Sequence, residues 1–343
     1  MAPILCLATL MSVATSSVAG AVERDDSNAL DVYFEPQTIA RLPDGRKFHF
    51  YCTGSGSPTT ILDAGLGGWS ISWRSIQPQI AQMTRVCAFD RAGYWYSDPG
   101  PMPRDAAAEV KDLHDGLVAA QIKPPYILIG HSYGGMTSRL FALRYSSEVV
   151  GMLLIDPSFP YSAKKTGESK KNDQAFTQYL SKCAQLARKS KLRADMADSE
   201  PGQDCINSGR EDWSQKMSAK LAAFSTRAPF YDTQLSEFEG TQGRSSRELM
   251  SNSHPLGALP ITVLTADEAH FNEPGTGQRR YAAWVAGHDE IAKSSTRGQN
   301  IIVEGAGHFI YLDKPDLVLS KFKEMLDSVR GTSREQVPWP PYP

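Results

Sequence analysis

Tyr126-Ile127-Leu128-Ile129-Gly130-His131-Ser132-Tyr133-Gly134-Gly135-Met136-Thr137-Ser138-Arg139-Leu140-Phe141-Ala142-Leu143 is the stretch that decides the fold. The apolar run Tyr126 to Ile129 reads as a buried strand, and Met136 to Leu143 reads as a helix. Between them, Gly130-x-Ser132-x-Gly134 is a weak signal by itself. On a strand-to-helix turn it describes a nucleophile elbow. Such a turn forces Ser132 into a strained backbone conformation and exposes its hydroxyl at the end of the strand. The glycines are needed because a Cβ at those positions would collide with the neighbouring strand and helix. The bland alternative is a plain glycine-rich strand-to-helix turn.

Outward from the elbow, strand and helix signals alternate. Thr38 to Leu42 and Lys47 to Cys52 flank Pro43-Asp44-Gly45, a hairpin signal. Thr59 to Asp63 reads as a buried strand, followed by the flexible Gly65, Gly67 and Gly68. A helical stretch runs from about Trp73 to Met83, and Val86 to Phe89 is the next strand. Ala106 to Ala120 is amphipathic, with Val110, Leu113, Leu117 and Val118 along one face. After the elbow, Gly151 to Asp156 is another buried strand. The alternation then stops. Residues 159–256 lack strand signals and are rich in Lys, Ser, Gln and Asp, while Phe176, Tyr179, Leu180, Cys183 and Leu186 recur at helical spacing. It resumes with Ile261 to Leu264, a helix near Arg279 to Lys293, Asn300 to Val303, and a last helix from about Pro315 to Val329. The pattern implies an α/β protein with a mostly parallel sheet covered on both faces. Residues 35–158 and 257–331 form its core, 159–256 form a helical cap insertion over one end of the sheet, and 332–343 form a C-terminal tail, Pro-rich and extended from Val337 to Pro343.

The 343 residues suffice for one large α/β domain with an insertion, or for two ordinary domains. A net charge of −2 implies no general attraction to nucleic acid or to an anionic membrane. The N-terminus differs from the rest. Ile4 to Val13 is apolar, and no charged side chain occurs before Glu23. The run is too short to span a membrane. Ser17-Val18-Ala19 and Ala19-Gly20-Ala21 both fit small-x-small cleavage sites. Residues 1–21 are therefore expected to be a secretory signal peptide, although the segment before the apolar run has no Lys or Arg. An uncleaved anchor or an unstructured apolar extension is the rival. Cleavage removes Cys6 and leaves Cys52, Cys87, Cys183 and Cys205, an even number that permits two disulfides in a secreted or periplasmic protein.

Taken together, the chain resembles the α/β-hydrolase superfamily from about residue 35 to 330. The resemblance is carried by Asp63-Ala64-Gly65-Leu66-Gly67-Gly68, Asp90-Arg91-Ala92-Gly93, the elbow, and Gly305-Ala306-Gly307-His308, each after a strand. The chain order also fits, with the nucleophile early and the histidine near the C-terminus. The resemblance implies an eight-stranded sheet. One departure concerns the pocket wall: Trp95 stands where a second glycine commonly follows the Asp-Arg-x-Gly segment. Ala64 replaces a histidine often found before the loop glycine.

A serine hydroxyl is too weakly acidic to attack a carbonyl unaided. His308, after a buried strand and a Gly-Ala-Gly loop, is the candidate base. His131 leaves the elbow in a different direction from Ser132 and reads as structural. Asp156 and Asp267 are both candidates for the acid that orients His308. Asp267 follows the strand before the histidine strand, the family's usual place, but alignment of Ala266 with the family's glycine puts Ala269 at the acid position. Asp156 ends the strand beside the elbow strand, a place some relatives use, and is preferred. The resemblance also implies an oxyanion hole from the backbone N–H groups of Leu66 and Tyr133. No cofactor or metal site is apparent: there is no C-x-x-C, no pair of histidines at helical spacing, and no phosphate-cradling loop with a lysine.

The sequence thus reads as an exported serine hydrolase acting on a small-molecule ester through an acyl-enzyme. An inert binding protein on the same scaffold, or a lyase that uses the serine without an acyl-enzyme, is the rival. Nine Lys and Arg lie between Lys164 and Arg193, against only Glu168 and Asp173, and read as a solvated helix face. Substrate identity and oligomeric state are not legible. The implied fold sets the second strand antiparallel beside the fourth. Cys52, at the end of one, then meets Cys87, near the start of the other, at the edge opposite the active site, so a disulfide is expected there. Cys183 and Cys205 could form a second, although Cys183 also fits simple packing on an apolar helix face.

Overall fold

Successive strand residues point to opposite faces of the sheet, and this alternation fixes the layering of the molecule. The computed structural model describes residues 30–167, 170–197, 199–207, 209, 213–267 and 277–335. The strands are β1 (Thr38–Arg41), β2 (Lys47–Thr53), β3 (Thr59–Asp63), β4 (Val86–Asp90), β5 (Tyr126–His131), β6 (Val149–Ile155), β7 (Ile261–Ala266) and β8 (Gly298–Val303). They form one eight-stranded sheet in the order β1-β2-β4-β3-β5-β6-β7-β8. β2 pairs antiparallel with β1 and β4, and the remaining pairs are parallel.

The helices are α1 (Gln77–Ala81), α2 (Ala106–Ala119), α3 (Tyr133–Arg144), α4 (Ser162–Thr166), α5 (Lys170–Arg188), α6 (Gln215–Phe224), α7 (Ala228–Thr241), α8 (Arg244–Ser251), α9 (Gly277–Lys293), α10 (Ile310–Asp313) and α11 (Pro315–Glu335). Alternate strand residues serve opposite faces. Tyr126, Leu128, Met152, Leu154, Ile261 and Val263 pack with Val110, Leu113 and Leu117 of α2 and Leu140 and Phe141 of α3. Ile127, Ile129, Leu153, Ile155 and Leu264 pack with Ile80 of α1 and Val318, Phe322 and Leu326 of α11. Both faces are buried, so the central strands carry near-continuous apolar runs.

Two boundaries differ from the sequence reading. The stretch from Trp73 to Met83 is not one helix. It divides into a 3-10 turn (Ser70–Trp73) and α1, with Pro78 in the first turn of α1. At the other end α11 runs to Glu335, so the start of the expected tail is helical. Gly331 costs the helix about 1 kcal/mol relative to alanine and does not end it. The remainder of that tail and the expected signal segment 1–21 lie outside the described residues.

Between β6 and β7 the described residues form α4 to α8 and a 3-10 turn, with no strand among them. This insertion has its own core. Leu180, Cys183, Met217, Leu221, Phe224, Phe230 and Tyr231 pack against Tyr33, Phe34, Trp69 and Trp95. Trp95 has φ +38°, the left-handed region that explains why glycine is common at this place. Its ring stacks on Trp69 at 5.5 Å and meets Phe34 and Phe224 edge-on at 5.1 and 5.0 Å. Aromatic packing therefore offsets the backbone strain, and the bulk of Trp95 is spent joining the insertion to the sheet.

The expected Cys52–Cys87 disulfide is formed, and the open alternative at Cys183 is resolved in favour of a second bond. Cys52 and Cys87 are directly opposite in the β2/β4 register, with Cα atoms 4.0 Å apart. Cys183 is bonded to Cys205 at a Cα distance of 5.5 Å. Among the described residues, no helix is long and apolar enough to cross a membrane. Replacing Cys52 and Cys87 together by alanine should lower the unfolding free energy by about 3–4 kcal/mol, the loop-closure entropy of a cross-link spanning 35 residues. Urea unfolding of the double variant beside wild type checks this; coincident midpoints would contradict it.

Candidate active site

The elbow is a backbone problem with one solution. Ser132 ends β5 and starts α3 at φ +52°, ψ −119°, a conformation L-residues rarely adopt. Three hydrogen bonds hold it there. Its N–H donates to Ile155 O at 3.1 Å, and its carbonyl accepts from the N–H groups of Gly135 and Ser158, both at 2.9 Å. The turn is so tight that a Cβ on Gly134 would stand 2.1 Å from Asp63 O, and one on Gly135 2.4 Å from Pro157 Cβ. Glycine is required at both positions.

The histidine arrives from the far side of the sheet. After β8 the loop Gly305-Ala306-Gly307 brings His308 to the C-terminal end of the strands, where its Nδ1 lies 2.6 Å from Asp156 Oδ2. Asp156 immediately follows β6 and is fully buried at φ +42°. Its other oxygen, Oδ1, accepts from Ala266 N–H at 2.9 Å and from the Trp284 indole N–H at 2.8 Å. Burial pushes the Asp156 pKa up. The hydrogen bonds from His308 and from the Ala266 N–H outweigh that and hold it at about 2. The carboxylate is thus ionised throughout the neutral range, and it fixes a proton on His308 Nδ1, which leaves Nε2 as an acceptor.

The other acid candidate is placed differently. Asp267 Oδ2 accepts from Gly305 N–H at 2.7 Å, so its carboxylate braces the turn that carries His308. His308 Nδ1 is occupied by Asp156. Strand-end aspartates of both kinds read alike in sequence, because each follows a buried strand.

Leu66 lies in the loop after β3, closed by Gly68 N–H to Gly65 O at 3.0 Å. Tyr133 is the first residue of α3, where backbone N–H groups have no intrahelical acceptor. A Cβ on Gly65 would stand 3.2 Å from Ser132 Cβ, so this loop runs against the elbow. Leu66, Ser132, Tyr133, Asp156 and His308 line one cleft of about 280 Å³, with Ser158, Ser162, Thr166, Phe238, Thr241, Gln242, Arg280 and Trp284 among its other walls. Among the described residues, no cluster of three His, Cys, Asp or Glu side chains could hold a metal ion.

Two supporting residues had no sequence signal of their own. Trp284 and His288 are one turn apart on α9. Trp284 holds Asp156, and His288 Nε2 donates to Pro157 O at 2.9 Å, so one helix face fixes the Asp156 segment twice. His131 is structural, as its place beside Ser132 implies, but with a particular task. Its Nε2 donates to the His308 backbone carbonyl at 3.0 Å, and its ring lies 4.6 Å from that of His308.

With fold and geometry in view, the chain can be compared with known proteins. The sequence model of the alpha/beta hydrolase fold matches residues 61–315, and the chain belongs to this family. It is 25% identical over 279 residues to YqjL of Bacillus subtilis (strain 168), an uncharacterized protein, covering 80% of this chain and 86% of that one. It is 30% identical over 159 residues to epoxide hydrolase 4 of Mus musculus, covering 44% of this chain and 39% of that one. Among solved structures, a thermophilic esterase from Thermogutta terrifontis superposes with a TM-score of 0.56 at 18% identity, over 86% of this chain and 99% of the esterase. The family and these relatives support hydrolase activity.

The buried histidines give a pH signature. Burial and the neighbouring His308 push the His131 pKa down to about 3, and burial also lowers that of His288. The unfolded chain binds protons that these folded rings refuse. Their stabilising contribution is therefore complete above the ordinary histidine value of about 6.5 and is lost as the pH falls from there. For His131 the loss continues towards about 3. Each such ring adds a slope approaching 1.4 kcal/mol per pH unit, roughly, below its unfolded value. Chemical unfolding between about pH 6.5 and 4 should give His131→Gln a shallower slope than wild type; parallel slopes would contradict the assignment.

Proposed function

We propose that the protein hydrolyses carboxylic esters of small molecules through Ser132, His308 and Asp156. The observation that carries this reading is the 2.6 Å contact of Asp156 with His308 Nδ1 in the cleft that also holds the elbow serine. His308 Nε2 takes the Ser132 proton as Oγ attacks the carbonyl carbon. The oxyanion is received by the N–H groups of Leu66 and Tyr133, each worth about 3 kcal/mol in the transition state. His308 then protonates the departing alcohol. A water deprotonated by the same nitrogen attacks the acyl-enzyme, and collapse of the second oxyanion returns Ser132 and releases the acid.

The nucleophile's chemistry separates this reading from epoxide opening. Attack of a serine oxygen on an epoxide carbon would leave an ether, which water cannot cleave by the same route, and the enzyme would be spent after one turnover. Attack on a carbonyl leaves an ester, which the same base can hydrolyse. The two disulfides support export to an oxidising compartment, secreted or periplasmic.

A fluorophosphonate should label Ser132, identified by peptide mapping, and Ser132→Ala should lose both labelling and ester turnover with unchanged melting. An unlabelled wild type would favour the inert binding protein; labelling without ester turnover would favour the lyase. Asp156→Asn should lower kcat by about three to four orders of magnitude, while Asp267→Asn leaves kcat near wild type. The opposite result would move the acid to Asp267. Trp284→Phe removes the indole donor and should lower kcat about tenfold, equivalent to about 1.4 kcal/mol in the barrier. Steady-state kinetics on 4-nitrophenyl acetate read all three; a wild-type kcat for Trp284→Phe would remove its role in holding Asp156.

A further inference from the structure

Arg91 is buried at 2% exposure in the turn after β4, and all five of its N–H groups are used. Nε donates to Glu237 Oε1 at 2.7 Å and Nη2 to Glu237 Oε2 at 3.4 Å. Nη1 donates to Asp63 Oδ1 at 3.0 Å and to Ala64 O at 2.7 Å, and Nη2 also donates to Gly65 O at 2.8 Å. Glu237 lies on α7 of the insertion, fully buried, with Tyr94 OH donating to its Oε2 at 2.7 Å. Burial pushes the carboxyls of Asp63 and Glu237 up, and the guanidinium between them pulls both back.

The Gly65 contact has a consequence for the Leu66 N–H. Gly65 C=O and Leu66 N–H belong to one peptide group, which is planar and trans, so the two bonds point in opposite directions. Holding the carbonyl on Arg91 holds the N–H on the other side, and turning that N–H away would break the Arg91 bond. α7 also touches the same region elsewhere. Thr233 Oγ1 donates to Ala92 O at 3.2 Å, and Gln234 Oε1 lies 2.8 Å from where a Cβ on Gly67 would stand.

We propose that Glu237 is a positioning residue for the oxyanion loop: from the cap helix it fixes Arg91, and Arg91 fixes the Gly65–Leu66 peptide so that its N–H faces the elbow. The cap is then part of the catalytic scaffold and not only a wall of the cleft. A lysine in place of Arg91 could not span these partners, because its donors diverge from one atom. The proposal rests on the serine-hydrolase reading above, and it is tested so that the two can fail separately.

Wild type, Glu237→Gln and Glu237→Asp are compared for kcat and KM on 4-nitrophenyl acetate, for inhibition by phenylboronic acid, and for thermal unfolding. The boronic acid forms a tetrahedral anion on an active-site serine and so reports on the hole directly. Glu237→Gln should lower kcat about tenfold to a hundredfold, less than loss of a whole oxyanion donor. KM should stay within about twofold, and the boronate Ki should rise in step with the fall in kcat/KM. Glu237→Asp keeps the charge and loses reach; it should show the same pattern more mildly, and it decides the matter if the glutamine variant fails to fold. A folded variant with wild-type kcat and boronate affinity overturns the proposal. So does a change in KM at constant kcat, which would make Glu237 a determinant of substrate binding. A wild type with neither turnover nor boronate inhibition overturns the serine-hydrolase reading, and this proposal with it.

Discussion

The left-handed backbone of Ser132 is the constraint on which the rest of the site depends. A residue at φ +52° persists only if its surroundings leave it no alternative. Here the hydrogen bonds to Ile155 and Ser158 tie it to β6 and to the segment just beyond it, and that from Gly135 ties it to α3. That tie demands close approach, close approach demands glycine at 134 and 135, and the same contraction brings the β3 loop against the elbow. Ser132, the β3 loop and Asp156 are thus neighbours because one strained turn draws the ends of β3, β5 and β6 together.

Around that turn, two buried carboxylates do opposite jobs. Asp156 faces the cleft and keeps its charge through His308, Ala266 and Trp284. Glu237 faces away from it and is committed to Arg91 and Tyr94. Each shows how a buried charge is tolerated here: every oxygen has a donor, and a cation or an ionisable ring stands beside it. In the proposed mechanism the first arrangement orients the base, and the second orients the backbone loop opposite it. The insertion is therefore joined to the β3 and β4 loops by a buried ion pair as well as by apolar cover.

Much of this was legible in the sequence, and the reasons are local. The central strands announced themselves because they are buried on both faces, and the elbow because its glycines answer a steric demand at fixed spacing. The Cys52–Cys87 bond was expected because the family resemblance implies that the second strand lies antiparallel beside the fourth, which is the register found. What was not legible depends on contacts between distant segments. Asp156 and Asp267 occupy equivalent places in the chain, and only the path of the Gly305 loop decides which carboxylate meets the His308 ring and which caps a backbone N–H. Trp284 lies 128 residues from the carboxylate it holds, and Glu237 lies 146 residues from Arg91. Trp95 broke a glycine pattern, and the sequence had no means to show that Trp69, Phe34 and Phe224 would accommodate it.

The most direct test of the account is a crystal structure of the protein after reaction with a fluorophosphonate. The phosphonyl group mimics the tetrahedral intermediate, so its position reports nucleophile and hole at once. The account predicts phosphorus bonded to Ser132 Oγ, with one phosphonyl oxygen about 2.7–3.1 Å from both the Leu66 and the Tyr133 backbone nitrogens. An adduct on any other residue, or an adduct on Ser132 whose oxygens avoid those two N–H groups, would contradict it.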